Sequence, residues 1–290
     1  MASVAFLGLG NMGLPMAGNL VKAGHDVLGF DVAPAALAVA QRAGLTCTET
    51  AAQAVAGADV VISMLPNGAL VRSLYESVLP RVPAGALMID GSTIDVASAR
   101  AAQEMAAAHR LAAVDAPVSG GTAGAAAGTL TFMVGGSAGA FARAEPVLAA
   151  MGRKIVHCGE AGAGQAAKIC NNMILGISMI AVAEAFVLAE RLGLSHQALF
   201  DVASTSSGQC WALTSYCPVP GPVPASPANN GYQPGFAAAL MLKDLTLAAD
   251  AAGGIAPLGA QAATIYRQFV ESGAGGRDFS AIIEAIRPAP

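Results

Sequence analysis

The sequence predicts an α/β first half followed by an all-α second half, and three observations lead there. Up to about residue 160, short β-rich apolar runs alternate with helical runs. The strand-like runs at 4–8 and 60–64 are continuously apolar, as strands buried on both faces of a sheet are. From Gly164 onward the pattern turns helical. Alternating β and α runs imply a parallel sheet covered by helices. A chain of 290 residues has room for two cores, since a domain takes ~100–200 residues. Gly159, Gly162 and Gly164 punctuate the change, so the domains are set at 1–162 and 163–290.

In order, strands are expected at 4–8, 26–31, 60–64, 87–90, 112–115, 129–135 and 155–158, with the first helix at 14–23. A long helix is expected over 168–192, with further helices after it. One segment, 204–235, has no evident secondary structure and carries Pro218, Pro220, Pro222, Pro224, Pro227 and Pro234. So long an insert is either a functional loop or disordered. Its Trp211, Tyr216, Asn229, Asn230 and Tyr232 favour the functional loop.

Composition narrows the classes. With 54% apolar and 12% charged residues, disorder is not expected. A net charge of −4 without a Lys/Arg stripe offers nothing for nucleic acid. The N-terminus lacks the basic region of a signal peptide. The most apolar stretch, 173–183, is short of the ~20 residues of a membrane span, so a core helix is expected. The five cysteines are scattered, odd in number and free of C-x-x-C pairs, which argues against disulfides and zinc and for a cytoplasmic compartment. The four histidines are dispersed too, so no metal is expected.

Gly8-Leu9-Gly10-Asn11-Met12-Gly13 matches G-x-G-x-x-G, a weak signal alone in a chain with 34 glycines. Its setting strengthens it, because it follows a strand, opens a helix, and precedes a second strand ending in Asp31. The glycines allow a tight turn and close approach of a pyrophosphate to the helix start. Asp31 is placed to accept hydrogen bonds from the adenosine ribose. Its charge repels a 2′-phosphate, and Val32-Ala33-Pro34 supplies no cation, so NAD is expected over NADP. The first domain is therefore read as a Rossmann-type dinucleotide-binding domain. Ser63-Met64-Leu65-Pro66 and Asp90-Gly91-Ser92-Thr93 fall at the carboxyl ends of strands, where open α/β sheets bind ligands. Leu65 and Pro66 are candidates to pack on the cofactor, and Thr93 to meet the nicotinamide ribose; each is equally consistent with an ordinary turn.

Two further segments carry chemistry. In Asp115-Ala116-Pro117-Val118-Ser119-Gly120-Gly121-Thr122, two glycines expose backbone N–H groups beside a hydroxyl, which suits a carboxylate or a plain flexible loop. Lys168 and Asn172 lie four apart and share a helix face. Such a lysine fits a side chain that snorkels to solvent. It equally fits a general base, since loss of water disfavours the charged amine.

These segments resemble the β-hydroxyacid dehydrogenases over nearly the whole chain, with the blocks at Gly8–Gly13, Asp90–Thr93, Asp115–Gly121 and Gly164–Asn172 in order. The resemblance implies that Ser119, Gly120 and Gly121 bind the substrate carboxylate, that Lys168 is the catalytic acid/base, and that Asn172 orients the substrate. It also implies cofactor contacts from Leu70, Lys243 and Asp244. The proline-rich insert is similar to that of members oxidising 3-hydroxyisobutyrate to methylmalonate semialdehyde in valine breakdown, with Trp211, Tyr216 and Phe236 shaping the wall around the methyl group. Cys217 departs from the pattern, which has Asn there, and 222–227 differs in length. A homodimer or homotetramer is implied. The alternatives are another 3-hydroxyacid dehydrogenase or a semialdehyde or glyoxylate reductase of the family, and a non-catalytic dinucleotide sensor.

Overall fold

The structure, a computed structural model, describes residues 1–287, so 288–290 of the expected second domain lie outside the described residues. The chain divides into two compact units, Met1–Lys168 and a second from Ile169 onward.

The first unit runs β1 (Ser3–Leu7), α1 (Gly13–Lys22), β2 (Asp26–Phe30), α2 (Pro34–Arg42), β3 (Thr46–Cys47), α3 (Ala51–Val55), β4 (Val60–Ser63) and α4 (Gly68–Val78). It continues through β5 (Leu87–Asp90), α5 (Val96–Ala108), β6 (Ala112–Asp115), β7 (Val118–Ser119), α6 (Gly121–Ala127), β8 (Leu130–Gly135), α7 (Ala138–Leu148) and β9 (Gly152–Gly159). The sheet order is β3-β2-β1-β4-β5-β6-β8-β7, with β9 beside β8. Alternate residues of one strand feed two cores. Val4 and Phe6 join Met16, Ala17 and Leu20 of α1, whereas Ala5 and Leu7 join Val55 of α3 and Val71 and Tyr75 of α4. That two-sided burial explains why β1 and β4 read as unbroken apolar runs. Fully burying one such large side chain stabilises by about 1.5–3 kcal/mol.

The expected sheet was parallel throughout, and the structure corrects this. Strands β3 to β6 are parallel, but β8 runs antiparallel to β6 and β7, while β9 is parallel to β8. Only residues 120–129 join β7 to β8, short of the roughly dozen or more that a parallel crossover takes, and the two strands pair antiparallel. The two-residue strands β3 and β7 were not foreseen, because so short a run has no readable period. Side-chain caps set several helix starts: Thr50 with Gln53 forms a capping box on α3, and Asn67 and Asp95 cap α4 and α5.

Next comes α8 (Ala163–Arg191), which begins at 163 rather than at the expected 168. Of the glycines taken as a break, Gly159 ends β9, Gly162 directly precedes α8 and Gly164 lies in its first turn, and the division between the units falls within the helix, at Lys168. It is long and apolar enough to cross a membrane by length and composition, since Gly and Ala extend the apolar stretch beyond 173–183. Its Met179, Ala183 and Phe186 are nonetheless part of the second unit's core.

The second unit adds α9 (His196–Ala203), α10 (Trp211–Thr214), α11 (Ala238–Ala252), α12 (Pro257–Phe269) and α13 (Ile282–Ile286). Its core combines Phe186 with Met241 and Leu245 of α11, Tyr266 of α12, and Phe279 and Ile282. The proline-rich insert is ordered by internal hydrogen bonds. The Ser226 hydroxyl donates to the Cys217 carbonyl (2.5 Å), the Tyr232 hydroxyl to the Pro218 carbonyl (2.8 Å), and Asn229 Nδ2 to the Val223 carbonyl (2.8 Å). Tyr232 and Asn229, whose presence favoured an ordered, functional loop over disorder, prop that loop in the structure. Cys217 is fully buried, and burial pushes its thiol up.

Candidate active site

At the end of β1 the chain turns through Gly8 at φ +102°. A Cβ there would lie 2.3 Å from the Met64 carbonyl oxygen, and one on Gly13 would lie 1.9 Å from that of Gly8, so both positions require glycine. In front of Gly10, by contrast, nothing lies within 4 Å. The start of α1 has no side-chain cap, with Met12 at the N-cap, and no acidic residue stands in its first turn. An uncapped, positively polarised helix start beside an open glycine fits a pyrophosphate. Leu9 is buried, whereas Gly10 and Asn11 are exposed.

Asp31 follows β2 and is anchored on this turn. Its Oδ2 accepts the Leu9 N–H (2.7 Å) and its Oδ1 the Ala33 N–H (2.8 Å). A carboxylate has about four acceptor positions, so two remain for ribose hydroxyls. The residues present fit a dinucleotide.

Beneath the loops after β4 and β5 lies a network not foreseen from sequence. The Leu65 N–H donates to Ser92 Oγ (2.8 Å), and the Ser92 hydroxyl donates to Asp90 Oδ1 (2.6 Å), which also accepts the Ser63 hydroxyl (2.8 Å). Asp90 Oδ2 is buried without a hydrogen-bond partner. Burial pushes the Asp90 carboxyl up to about 6, against the opposing hydrogen bonds from Ser92 and Ser63. Thr93, half-buried, sits directly after this anchor. Leu65 is half-buried and Pro66 exposed; the exposed Leu70 has its N–H accepted by Asn67 Oδ1 (3.0 Å).

Ser119 ends β7 opposite Thr131 of β8. Gly120 (φ +133°) and Gly121 (φ +61°) then lead into α6 in conformations that other residues rarely adopt, and no side chain caps the turn.

The start of α8 is built on the ends of β5 and β6. Asp115 is 1% exposed; its Oδ1 accepts the Gly162 N–H (2.8 Å) and Gln103 Nε2 (2.7 Å), and its Oδ2 accepts the Gln165 N–H (2.8 Å). Burial raises its affinity for a proton, and the Gly162 and Gln165 N–H groups oppose this. A Cβ on Gly164 would lie 2.3 Å from the Met133 carbonyl oxygen and 2.7 Å from Asp115 Oδ2, so glycine is what lets the helix come this close. Gln165 is fully buried, with Oε1 accepting the Ile94 N–H (3.1 Å) and Nε2 donating to the Ser92 carbonyl (2.7 Å). Lys168 follows on the same helix and is only 7% exposed, so it does not snorkel to solvent.

In the second unit Asn172 is buried at 2% exposure, its Nδ2 donating to Asp244 Oδ2 (2.5 Å) and its Oδ1 accepting Asn171 Nδ2 (2.9 Å). Lys243 Nζ lies 3.5 Å from Asp244 Oδ1. Asn172, Lys243 and Asp244, separate in sequence, therefore form one cluster. Trp211, Tyr216 and Phe236 converge as well. Trp211 stacks on Tyr216 (5.0 Å between centroids), Tyr216 on Phe279 (5.2 Å), and Phe236 meets Phe279 edge-on (5.7 Å). The Tyr216 hydroxyl donates to the buried Asp278 (2.9 Å), which also accepts the Gly235 and Phe236 N–H groups. Among the described residues no group of three or more His, Cys, Asp or Glu is placed to hold a metal.

Sequence reasoning missed Asp90, Ser92, Asp115 and Gln165. Each stood inside a motif already singled out, but only the tertiary contacts reveal that these side chains turn inward.

Comparison with known proteins agrees with this geometry. The family profile described as the NAD binding domain of 6-phosphogluconate dehydrogenase matches residues 3–159. The one described as NAD-binding of NADP-dependent 3-hydroxyisobutyrate dehydrogenase matches 162–286. The chain is 57% identical to the probable 3-hydroxyisobutyrate dehydrogenase of Mycobacterium tuberculosis, covering 99% of this chain and 98% of the relative. It is 51% identical to the 3-hydroxyisobutyrate dehydrogenase of Pseudomonas aeruginosa, with 99% of each covered. A solved structure of the Mycobacterium tuberculosis 3-hydroxyisobutyrate dehydrogenase with L-serine superposes with a TM-score of 0.95 at 56% identity, over 99% of this chain and 100% of that one. With its glycine turn, its buried lysine and both halves of its length matched, the chain belongs to the 3-hydroxyisobutyrate dehydrogenase family.

Proposed function

We propose that the protein oxidises 3-hydroxyisobutyrate to methylmalonate semialdehyde, a step of valine breakdown, with NAD as cofactor. The observation that carries this is Lys168, buried on a helix whose first turn is bonded to the strand ends that follow the dinucleotide turn. When bound, NAD supplies the hydride acceptor. Gly8, Gly10 and Gly13 with the start of α1 hold the pyrophosphate, and Asp31 holds the adenosine ribose. Asp31 offers a 2′-phosphate only repulsion, which supports NAD over NADP. Leu65, Pro66, Leu70, Thr93, Lys243 and Asp244 are proposed as the remaining cofactor contacts.

The backbone at Ser119, Gly120 and Gly121 takes the substrate carboxylate. Lys168 Nζ, as the neutral amine, accepts the proton of the primary hydroxyl while the carbinol C–H bond breaks. Asn172 orients the hydroxyl, its own amide held by Asp244 and Asn171. Trp211, Tyr216 and Phe236 form the apolar wall for the methyl group.

The test is NADH formation with each enantiomer of 3-hydroxyisobutyrate, 3-hydroxypropionate and L-serine. The expected order puts one 3-hydroxyisobutyrate enantiomer first in kcat/KM. A dominant L-serine activity would instead favour a second reading, another 3-hydroxyacid dehydrogenase of the family acting on L-serine, which is supported by the solved relative with L-serine. Lys168→Ala should lose turnover and keep NAD binding; turnover near wild type would remove Lys168 from its role.

The assembly is proposed to be a homodimer or homotetramer, supported by Ile174, Leu188, Leu192 and Val202, all largely exposed. A cytoplasmic setting is proposed from the five cysteines, all free thiols.

A further inference from the structure

A primary amide carries its donor and its acceptor on two separate atoms of one planar group, so it can bond two backbone groups side by side. Gln165 uses both, accepting from the Ile94 N–H and donating to the Ser92 carbonyl. Those two groups flank Thr93, so the amide grips the backbone on both sides of that residue as a neighbouring strand would. The grip extends in two directions. Ser92 is bonded through its hydroxyl to Asp90 and receives the Leu65 N–H. The Gln165 backbone N–H is itself held by Asp115. Gln165 and Lys168 are three apart on α8 and share a face. All these contacts lie within the first unit.

We infer that Gln165 is a positioning residue for the reaction: it holds Lys168 in register with the Thr93 loop, and turnover depends on that register. The inference rests on the reading of Lys168 as the base and Thr93 as a cofactor contact. Ionised glutamate cannot replace the amide, because two acceptor oxygens leave the Ser92 carbonyl facing negative charge. A protonated glutamate can, with its O–H donating to that carbonyl and its other oxygen accepting the Ile94 N–H. The Asp115 and Asp90 carboxylates near this position also favour its protonated form, while Lys168 opposes it only in its charged state.

The experiment compares full-length wild type, Gln165→Met, Gln165→Glu and Lys168→Ala, measuring kcat, KM, NAD affinity by calorimetry, and Tm. Methionine keeps the length and apolar packing of the side chain but not the two hydrogen bonds. A sub-ångström to ångström loss of register can cost about 100-fold, and Q165M should lose kcat on that order while KM and NAD affinity stay within about threefold. Q165E should be equally poor at alkaline pH, with its kcat relative to wild type rising steadily as the pH is lowered. A purely structural tie would not give that pH-dependent recovery of kcat. The inference is overturned by a Q165M kcat within about threefold of wild type. It is also overturned by a Q165E ratio that does not change with pH, and this measurement decides alone if Q165M fails to fold. An active K168A would sink the reading of the base, whereas a dead K168A beside a fully active Q165M sinks only the inference about Gln165.

Discussion

Asp90 and Lys168 are both buried and ionisable. Asp90 Oδ1 is crowded by two hydroxyls and Oδ2 has no hydrogen-bond partner, so the carboxylate has lost more to desolvation than its hydrogen bonds return. Its folded value of about 6 lies above the unfolded 3.8, so between those values the native state binds more protons than the unfolded chain. Stability contributed at this site therefore falls as pH rises through that window and stays reduced above it. Glu190 and Glu284 act in the opposite sense, held below the usual range by Arg287 and Arg277, so the whole-protein pH curve hides the effect. Asp90→Asn isolates it. The Tm of D90N minus that of wild type should grow as pH rises from about 4 to about 6, on top of an offset independent of pH. Melts at several pH values check this, and a flat difference would show that Asp90 is not held protonated above its ordinary range.

Among the elements, the start of α8 decides most. The N–H groups of Gly162 and Gln165 at its start both end on one carboxylate, that of Asp115, because β6 ends at the same place. Asp115→Asn replaces one acceptor oxygen by an amide donor, so at least one of the Gly162, Gln103 and Gln165 donors loses its partner, at a cost of about 1–3 kcal/mol for each buried donor. Urea unfolding should show that loss, and kcat should fall with it as the helix start loosens; unchanged stability would mean that Asp115 does not hold α8. The proline-rich insert makes the complementary point. Its residues are ordered by Ser226, Tyr232 and Asp278, and this leaves Trp211 and Phe236 at an aromatic cluster around Phe279. The aromatic residues were legible as a group in the sequence. Asp278, which lies far along the chain and beside no motif, was not.

For the whole molecule, ligand binding and folding are linked. NAD at about 100 times its Kd should stabilise the protein by about 2.7 kcal/mol, and NADP at the same concentration by clearly less, because Asp31 repels the 2′-phosphate. Thermal melts with each dinucleotide measure the difference, and equal shifts would overturn the assignment of Asp31. The sequence alone determined the alternation of strands and helices, the glycine turn with Asp31, and the change to an all-helical second unit. These are written in short-range spacing, which local sterics and apolar periodicity impose whatever the rest of the chain does. Only the tertiary structure decided that the last strands turn antiparallel and that α8 starts at Ala163. It alone showed Lys168 buried and Gln165, Asp115 and Asp90 turned inward to hold the loops. Those outcomes depend on which distant backbone groups need partners once they are buried, and that pairing is set by the packed fold.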